Sequence, residues 1–194
     1  MSKVVIIDYG AGNVQSVKFA LERLGVKAKL TDNAEIIRGA EKVIFPGVGE
    51  ARSAMDKIQS SQLHRIIPDL KQPFLGICLG LQLMCKFSEE RSTDCLGIFD
   101  EEVNFFQIGE KVPHMGWNTV DLRESKLLKG LKDQSTFYFV HSYFVPINDF
   151  TVGACTYDIK FSAIMEKDNF YGCQFHPEKS ATNGAKILEN FIEL

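Results

Sequence analysis

Residues 73–80, Pro-Phe-Leu-Gly-Ile-Cys-Leu-Gly, constrain the fold more than any other stretch of the chain. A run of strand-forming residues leads straight into a cysteine held between two glycines, Gly76-Ile77-Cys78-Leu79-Gly80. G-x-C-x-G is the thiol counterpart of the nucleophile elbow, a sharp strand-to-helix turn with its central residue in a strained conformation. The glycines leave room where a Cβ would collide with a neighbouring strand or helix. Leu79, Leu83 and Phe87 recur at i, i+4, i+8, so the spacing predicts a helix over 79–87. Cys78 then stands at a helix N-terminus, where free N–H groups and the dipole favour thiolate over thiol. The plainer alternative is a small core cysteine, but that needs no glycine on either side.

A strand feeding a helix implies an α/β class, and the first half of the chain keeps that alternation. Residues 3–8, 28–30, 42–45 and 74–78 read as strands. Asn13 can cap a helix that buries Val14, Val17, Leu21 and Leu24 and closes at Gly25. Beyond about Leu96 the pattern turns to strands over 102–106, 118–122, 136–143, 152–157, 161–167 and 171–175. A final helix over 183–194 buries Ile187, Leu188, Phe191 and Ile192. The expectation is one domain over 1–194: an open, mostly parallel twisted sheet flanked by helices, with antiparallel strands added in the C-terminal half.

A catalytic thiol needs a base, and there are four histidines. His64 lies in a polar helical stretch and reads as a solvated surface residue. His114 and His141 stand in or beside strand-like runs. His176 ends the apolar run 170–175 and is followed by Pro177-Glu178. Proline stops the strand, so His176 and Glu178 project into a loop, where the carboxylate can turn back and hold the imidazole tautomer. A third piece is the strand end Phe45-Pro46-Gly47-Val48-Gly49. It leaves N–H groups that no ladder uses, as oxyanion stabilisation requires. The N–H of Leu79 is the first expected donor, and that of Val48 or Gly49 the second.

Together, residues 76–82 (Gly-Ile-Cys-Leu-Gly-Leu-Gln) and Phe175-His176-Pro177-Glu178 resemble the class I (triad) glutamine amidotransferases. Within that superfamily, residues 8–13, Pro46-Gly47-Val48-Gly49, residues 113–118 (Pro-His-Met-Gly-Trp-Asn), residues 139–143 and residues 176–180 resemble the glutaminase subunits of imidazole glycerol phosphate synthases. The resemblance implies a Cys78-His176-Glu178 triad and glutamine held by Gly49, Gln82, Glu90, Ser142 and Tyr143. Glu90 stands beside Glu89 and Arg91, so a solvated charge run is an equal alternative for it. A (β/α)8 cyclase partner is implied as well, receiving ammonia and docking at Asn13, Trp117, Tyr138 and Lys179. Trp117, the single tryptophan, could equally be a core residue.

Composition excludes more than it assigns. A net charge of −3 and a pI near 5.8 supply no basic field for nucleic acid. The five scattered cysteines argue for a reducing, cytoplasmic setting and against a disulfide framework. Their spacing gives no reason to expect a structural zinc, and no cofactor is expected. The N-terminus reads directly into a strand without a signal peptide, and no apolar run approaches membrane-spanning length. One competing motif, Gly10-Ala11-Gly12 after a strand with Asp32 further on, resembles a dinucleotide fingerprint, but Gln15 stands where its third glycine belongs. That leaves a non-catalytic nucleotide-binding module, and a stand-alone cysteine hydrolase, as rival classes.

Overall fold

A computed structural model describes residues 3–10 and 13–194. Ala11 and Gly12, the centre of the fingerprint-like motif, lie outside the described residues. The strands, in chain order, are β1 (Val4–Ile7), β2 (Ala28–Thr31), β3 (Lys42–Gly47), β4 (Phe74–Cys78), β5 (Cys85–Ser88), β6 (Thr93–Asp94), β7 (Phe99–Phe105), β8 (His114–Leu122), β9 (Ser135–His141), β10 (Tyr143–Phe144), β11 (Thr151–Tyr157), β12 (Ile159–Lys167) and β13 (Phe170–Cys173). The α-helices are α1 (Val14–Arg23), α2 (Ala34–Arg38), α3 (Ala51–Ser60), α4 (Leu79–Met84) and α5 (Ala181–Glu193).

Among the described residues a nine-stranded sheet runs β2-β1-β3-β4-β13-β12-β11-β8-β9. Pairings from β2 to β13 are parallel, and those from β13 to β9 antiparallel. The α/β class and the antiparallel C-terminal additions agree with the sequence reading. The balance differs, because the pairings divide evenly between the two kinds. The expected strand over 102–106 belongs to a second sheet, β10-β7-β5-β6, rather than to the main one.

In the parallel half, β1, β3 and β4 are buried on both faces and almost wholly apolar, whereas the edge strand β2 (Ala-Lys-Leu-Thr) is only partly covered. Val5, Ile7, Phe45 and Phe74 pack on one side with Ala54, Met55 and Ile58 of α3. Val4, Ile6, Ile44, Leu75 and Ile77 pack on the other with Val17 and Leu21 of α1 and Ile187, Leu188 and Phe191 of α5. These are the helix faces that periodicity marks out.

Three local readings need correction. Asn13 occupies the N-cap position of α1 but makes no side-chain capping bond. The helix expected over 79–87 stops at Met84, and Cys85–Ser88 is a strand. Every residue of α4 is buried, so the 3.6-residue period that Phe87 seemed to extend carries no information there. The chain ends the helix by giving the carbonyls of Leu83, Met84 and Cys85 to the N–H groups of Leu96, Ile98 and Gly97. His64 is half-buried rather than fully solvated, with its Nδ1 enclosed. No helix among the described residues is long and apolar enough to cross a membrane.

Candidate active site

The parallel half of the sheet brings the reactive groups together at its carboxyl end, where open α/β sheets place their ligands. β4 ends at Cys78 and α4 begins at the next residue, which leaves Cys78 at φ 54°, ψ −111°. This is a positive-φ conformation that residues with a side chain adopt at a cost of about 1–3 kcal/mol, and it persists only where the surroundings impose it. They do so by close approach. A Cβ on Gly80 would sit 1.9 Å from the Phe45 carbonyl oxygen, and one on Gly76 would sit 2.9 Å from the Gly80 backbone. Residue Leu79 opens α4, so its N–H has no intrahelical carbonyl to meet.

β13 lies beside β4 in parallel register, Cys173 opposite Ile77. The chain runs on through Gln174 and Phe175 to His176, and Pro177–Lys179 forms a 3-10 turn. This turn brings Glu178 back under the imidazole: His176 Nδ1 lies 2.8 Å from Glu178 Oε1, with both side chains buried. The carboxylate only accepts, so Nδ1 carries the proton and donates. His176 Nε2 is buried without a hydrogen-bond partner, as is Glu178 Oε2. Burial opposes a charge on His176, but the Cys78 sulfur and the Glu178 carboxylate outweigh it and push the pKa up to about 10. The Cys78 sulfur itself lies 3.8 Å from the Val140 carbonyl and 3.8 Å from Gln174 Nε2.

Cys78 and His176 open into a cleft of ≈ 330 Å³, within the size of small-molecule sites. Cys78 and His176 share it with Val48 and Leu79, the two expected oxyanion donors. All five residues expected to hold glutamine, Gly49, Gln82, Glu90, Ser142 and Tyr143, line it as well. Glu90 is no solvated charge: its Oε2 accepts the Ala51 N–H at 2.7 Å, and burial raises its pKa despite that bond. Its neighbour Glu89 accepts the Phe105 N–H. Gln82 donates through Nε2 to the Tyr143 carbonyl at 2.9 Å and to Gln174 Oε1 at 3.0 Å. A wider depression of ≈ 790 Å³, ringed by charged groups such as Arg123, Lys126, Lys129 and Asp168, is lined by neither cysteine nor histidine.

The four residues assigned to docking fall on neighbouring elements. Trp117 and Tyr138 are cross-strand partners on β8 and β9 with rings 6.0 Å apart. Trp117 is 54% exposed, which removes the core alternative. Lys179 is exposed in the turn after His176, a turn that packs against β9 and α1, and Asn13 precedes α1.

Several buried residues near Cys78 escaped the sequence reading. Gln174 is fully buried between Gln82 and Cys78; an amide inside an otherwise apolar run was the available signal. Tyr9 is buried with its hydroxyl unpartnered, and burial together with the nearby Cys78 raises its pKa. Cys173 and His176 have C-x-x-H spacing, which the zinc expectation drawn from cysteine spacing overlooked. However, the Cys173 sulfur is buried against the Gly76 carbonyl, and among the described residues no three His, Cys, Asp or Glu side chains group as a metal site.

Residues 5–194 match the family described as glutamine amidotransferase class-I. The chain belongs to that family. Its relatives include the imidazole glycerol phosphate synthase subunit HisH of Bacteroides fragilis strain YCH46, 54% identical over 99% of this chain and 100% of the relative. The protein of the same name from Vibrio cholerae serotype O1 is 44% identical over 98% of each. Among solved structures, a glutamine amidotransferase superposes with a TM-score of 0.78 at 18% identity, covering 98% of this chain and 97% of the other. A chain from the PurLQS structure of Thermotoga maritima gives 0.74 at 17% identity over 100% and 99%. At these identities the two likenesses speak for the fold alone.

Proposed function

We propose that this chain is the glutaminase subunit of an imidazole glycerol phosphate synthase. It hydrolyses glutamine to glutamate and ammonia, and the ammonia passes to a (β/α)8 cyclase subunit in histidine biosynthesis. One observation carries the chemistry: a strained Cys78 opens into the same small cleft as a buried His176–Glu178 pair. The full-length identity to relatives named as subunits of that synthase supports the pathway. The chain acts as one domain, and its free thiols suit the cytoplasm.

In this reading the Cys78 sulfur attacks the side-chain amide carbon and the carbonyl electrons move onto oxygen, where N–H groups of Leu79 and Val48 receive them. His176, protonated on both nitrogens beside the thiolate, gives its Nε2 proton to the departing nitrogen, and ammonia leaves a thioester. Water then enters, losing a proton to His176, and the C–S bond breaks to free glutamate. Glu178 keeps Nδ1–H in place so that Nε2 does the proton work at both steps. Glu90 and Gln82 receive the amino-acid end of the substrate. Trp117, Tyr138, Lys179 and Asn13 meet the cyclase, with Trp117 as the aromatic anchor.

The test is Cys78→Ala in the complex with the cyclase. Glutamine-dependent activity should fall at least about 10³-fold, whereas the cyclase reaction supplied with free ammonia should persist. A diazo-ketone analogue of glutamine should label Cys78 and none of Cys85, Cys95, Cys155 or Cys173. Glutamine turnover retained by Cys78→Ala would remove the nucleophile assignment.

A further inference from the structure

The chemistry above leaves two buried histidines unused. His114 on β8 and His141 at the end of β9 are cross-strand partners, 3% and 6% exposed. His114 Nδ1 stands 3.0 Å from His141 Nε2. The direction of each bond in the cluster follows from its ends. His141 Nδ1 is 2.8 Å from the Tyr143 carbonyl oxygen, which can only accept, so His141 carries its proton on Nδ1. Its Nε2 is then a lone pair that needs a donor, and His114 Nδ1–H supplies it. His114 Nε2 in turn accepts from the Asn118 amide at 3.3 Å, whose nitrogen also donates to the Thr156 carbonyl at 3.0 Å. A second proton on His141 would set N–H against N–H. Burial works against that proton, lowering the pKa to about 4 for His114 and about 3 for His141.

The other end of this chain of bonds is the active site. The Tyr143 carbonyl also takes a hydrogen from Gln82 Nε2, whose other hydrogen goes to Gln174 Oε1, and Gln174 Nε2 faces the Cys78 sulfur. The bond from His141 to a carbonyl two residues on closes the kink at Ser142, where the chain leaves the main sheet at β9 and enters the second sheet at β10. Ser142 and Tyr143 are presented to the cleft by that kink.

We propose that His114 and His141 are positioning residues of the glutamine pocket: a neutral, one-directional pair that locks the 141–143 kink and, through the Tyr143 carbonyl, sets Gln82 and Gln174 against the nucleophile. The inference rests on the glutaminase reading. It assigns both rings a role beyond filling space, and it fixes both as the Nδ1–H tautomer.

His114→Phe separates packing from bonding. The ring stacks on Tyr157 (centroids 4.1 Å apart) and on Phe139 (4.9 Å), and phenylalanine keeps both contacts while losing Nδ1–H. His114→Asn returns a donor nitrogen near the Nδ1 position. Labelling of Cys78 by the diazo-ketone analogue is followed against analogue concentration in the full chain, beside the urea midpoint. The half-saturating concentration should rise about tenfold in His114→Phe, as for one lost buried hydrogen bond, and return to within about threefold in His114→Asn. Nitrogen-15 spectra of the wild-type imidazoles should show Nδ1 protonated and Nε2 bare in both rings at neutral pH. Wild-type half-saturation in His114→Phe, or a proton on His141 Nε2, would overturn the proposal. Should His114→Phe fail to fold, the spectra and His114→Asn still decide it. A wild-type chain that is not labelled at all would instead overturn the glutaminase reading, and this inference with it.

Discussion

Glu178→Gln measures what the buried carboxylate contributes to the base. A hydrogen bond to a charged group contributes about 1.5–3 kcal/mol, and a neutral one about 0.5–1.5. If the amide presents its oxygen to His176 Nδ1, the swap loses about 1–2 kcal/mol of support for the imidazolium, or roughly 5–30-fold in rate. In that orientation the amide nitrogen takes the place of Glu178 Oε2, which is buried and without a partner. That buries an unsatisfied N–H group at a further cost of about 1–3 kcal/mol. The flipped amide turns its nitrogen to Nδ1 instead and drives the proton onto Nε2, the atom that must take the Cys78 proton. Either orientation harms the site, and the expected loss in glutamine kcat is about 10²-fold. His176→Asn removes the proton carrier itself and should cost about 10³-fold or more. Glutamate release by the complex with cyclase and acceptor measures both. The pH profile of Cys78 labelling adds a second readout. With Glu178 in place the His176 pKa is raised to about 10, so the imidazolium persists through neutral pH, and removing the carboxylate should pull that limb downward. Equal residual rates in the two variants, or a limb that does not move, would refute an orienting role for Glu178.

Two further outcomes follow from the geometry. Gly80→Ala would press a Cβ to 1.9 Å from the Phe45 carbonyl oxygen, so β3 and α4 must part. The urea midpoint should fall by the equivalent of at least about 3 kcal/mol, and a loss under about 1 kcal/mol would show that the elbow has slack. The second concerns acid. His114 and His141 have folded pKa values of about 4 and about 3, below the unfolded value of 6.5. The unfolded chain therefore binds more protons, and stability is lost as pH falls below 6.5, at about 1.4 kcal/mol per pH unit for each ring. His176 has a raised pKa, so its contribution is already fully present below 6.5 and does not offset the loss. Urea unfolding should show a decline of about 2 kcal/mol per ring between pH 6.5 and 5. A flat profile there would mean that the two rings are not held neutral.

The parts of the site that the sequence exposes are those built within a few residues. Cys78 between two glycines, and His176 followed by proline and glutamate, state their demands locally, because a backbone bend and an i, i+2 hydrogen bond involve no distant partner. What escaped depends on register between distant segments. The helix over 79–87 is cut at Met84 by N–H groups from residues 96–98, and nothing within the helical stretch announces them. Parallel pairing of β5 with β7, which founds the second sheet, is invisible for the same reason. Glu90 stood between a solvated run and a binding role. The fold removes the solvated run by bringing the β5–β6 turn against the start of α3, where Glu90 takes the Ala51 N–H. His114 and His141 each sit in a recognisable motif, yet neither motif indicates that the rings meet until β8 and β9 are laid in register. Gln174 is the exception that could have been read. A buried strand tolerates an amide only where partners satisfy it, so an amide two residues before His176 already implied other polar groups near Cys78. Chemistry carried on one turn is therefore readable from the chain itself, whereas the walls that hold substrate against it emerge only with the topology.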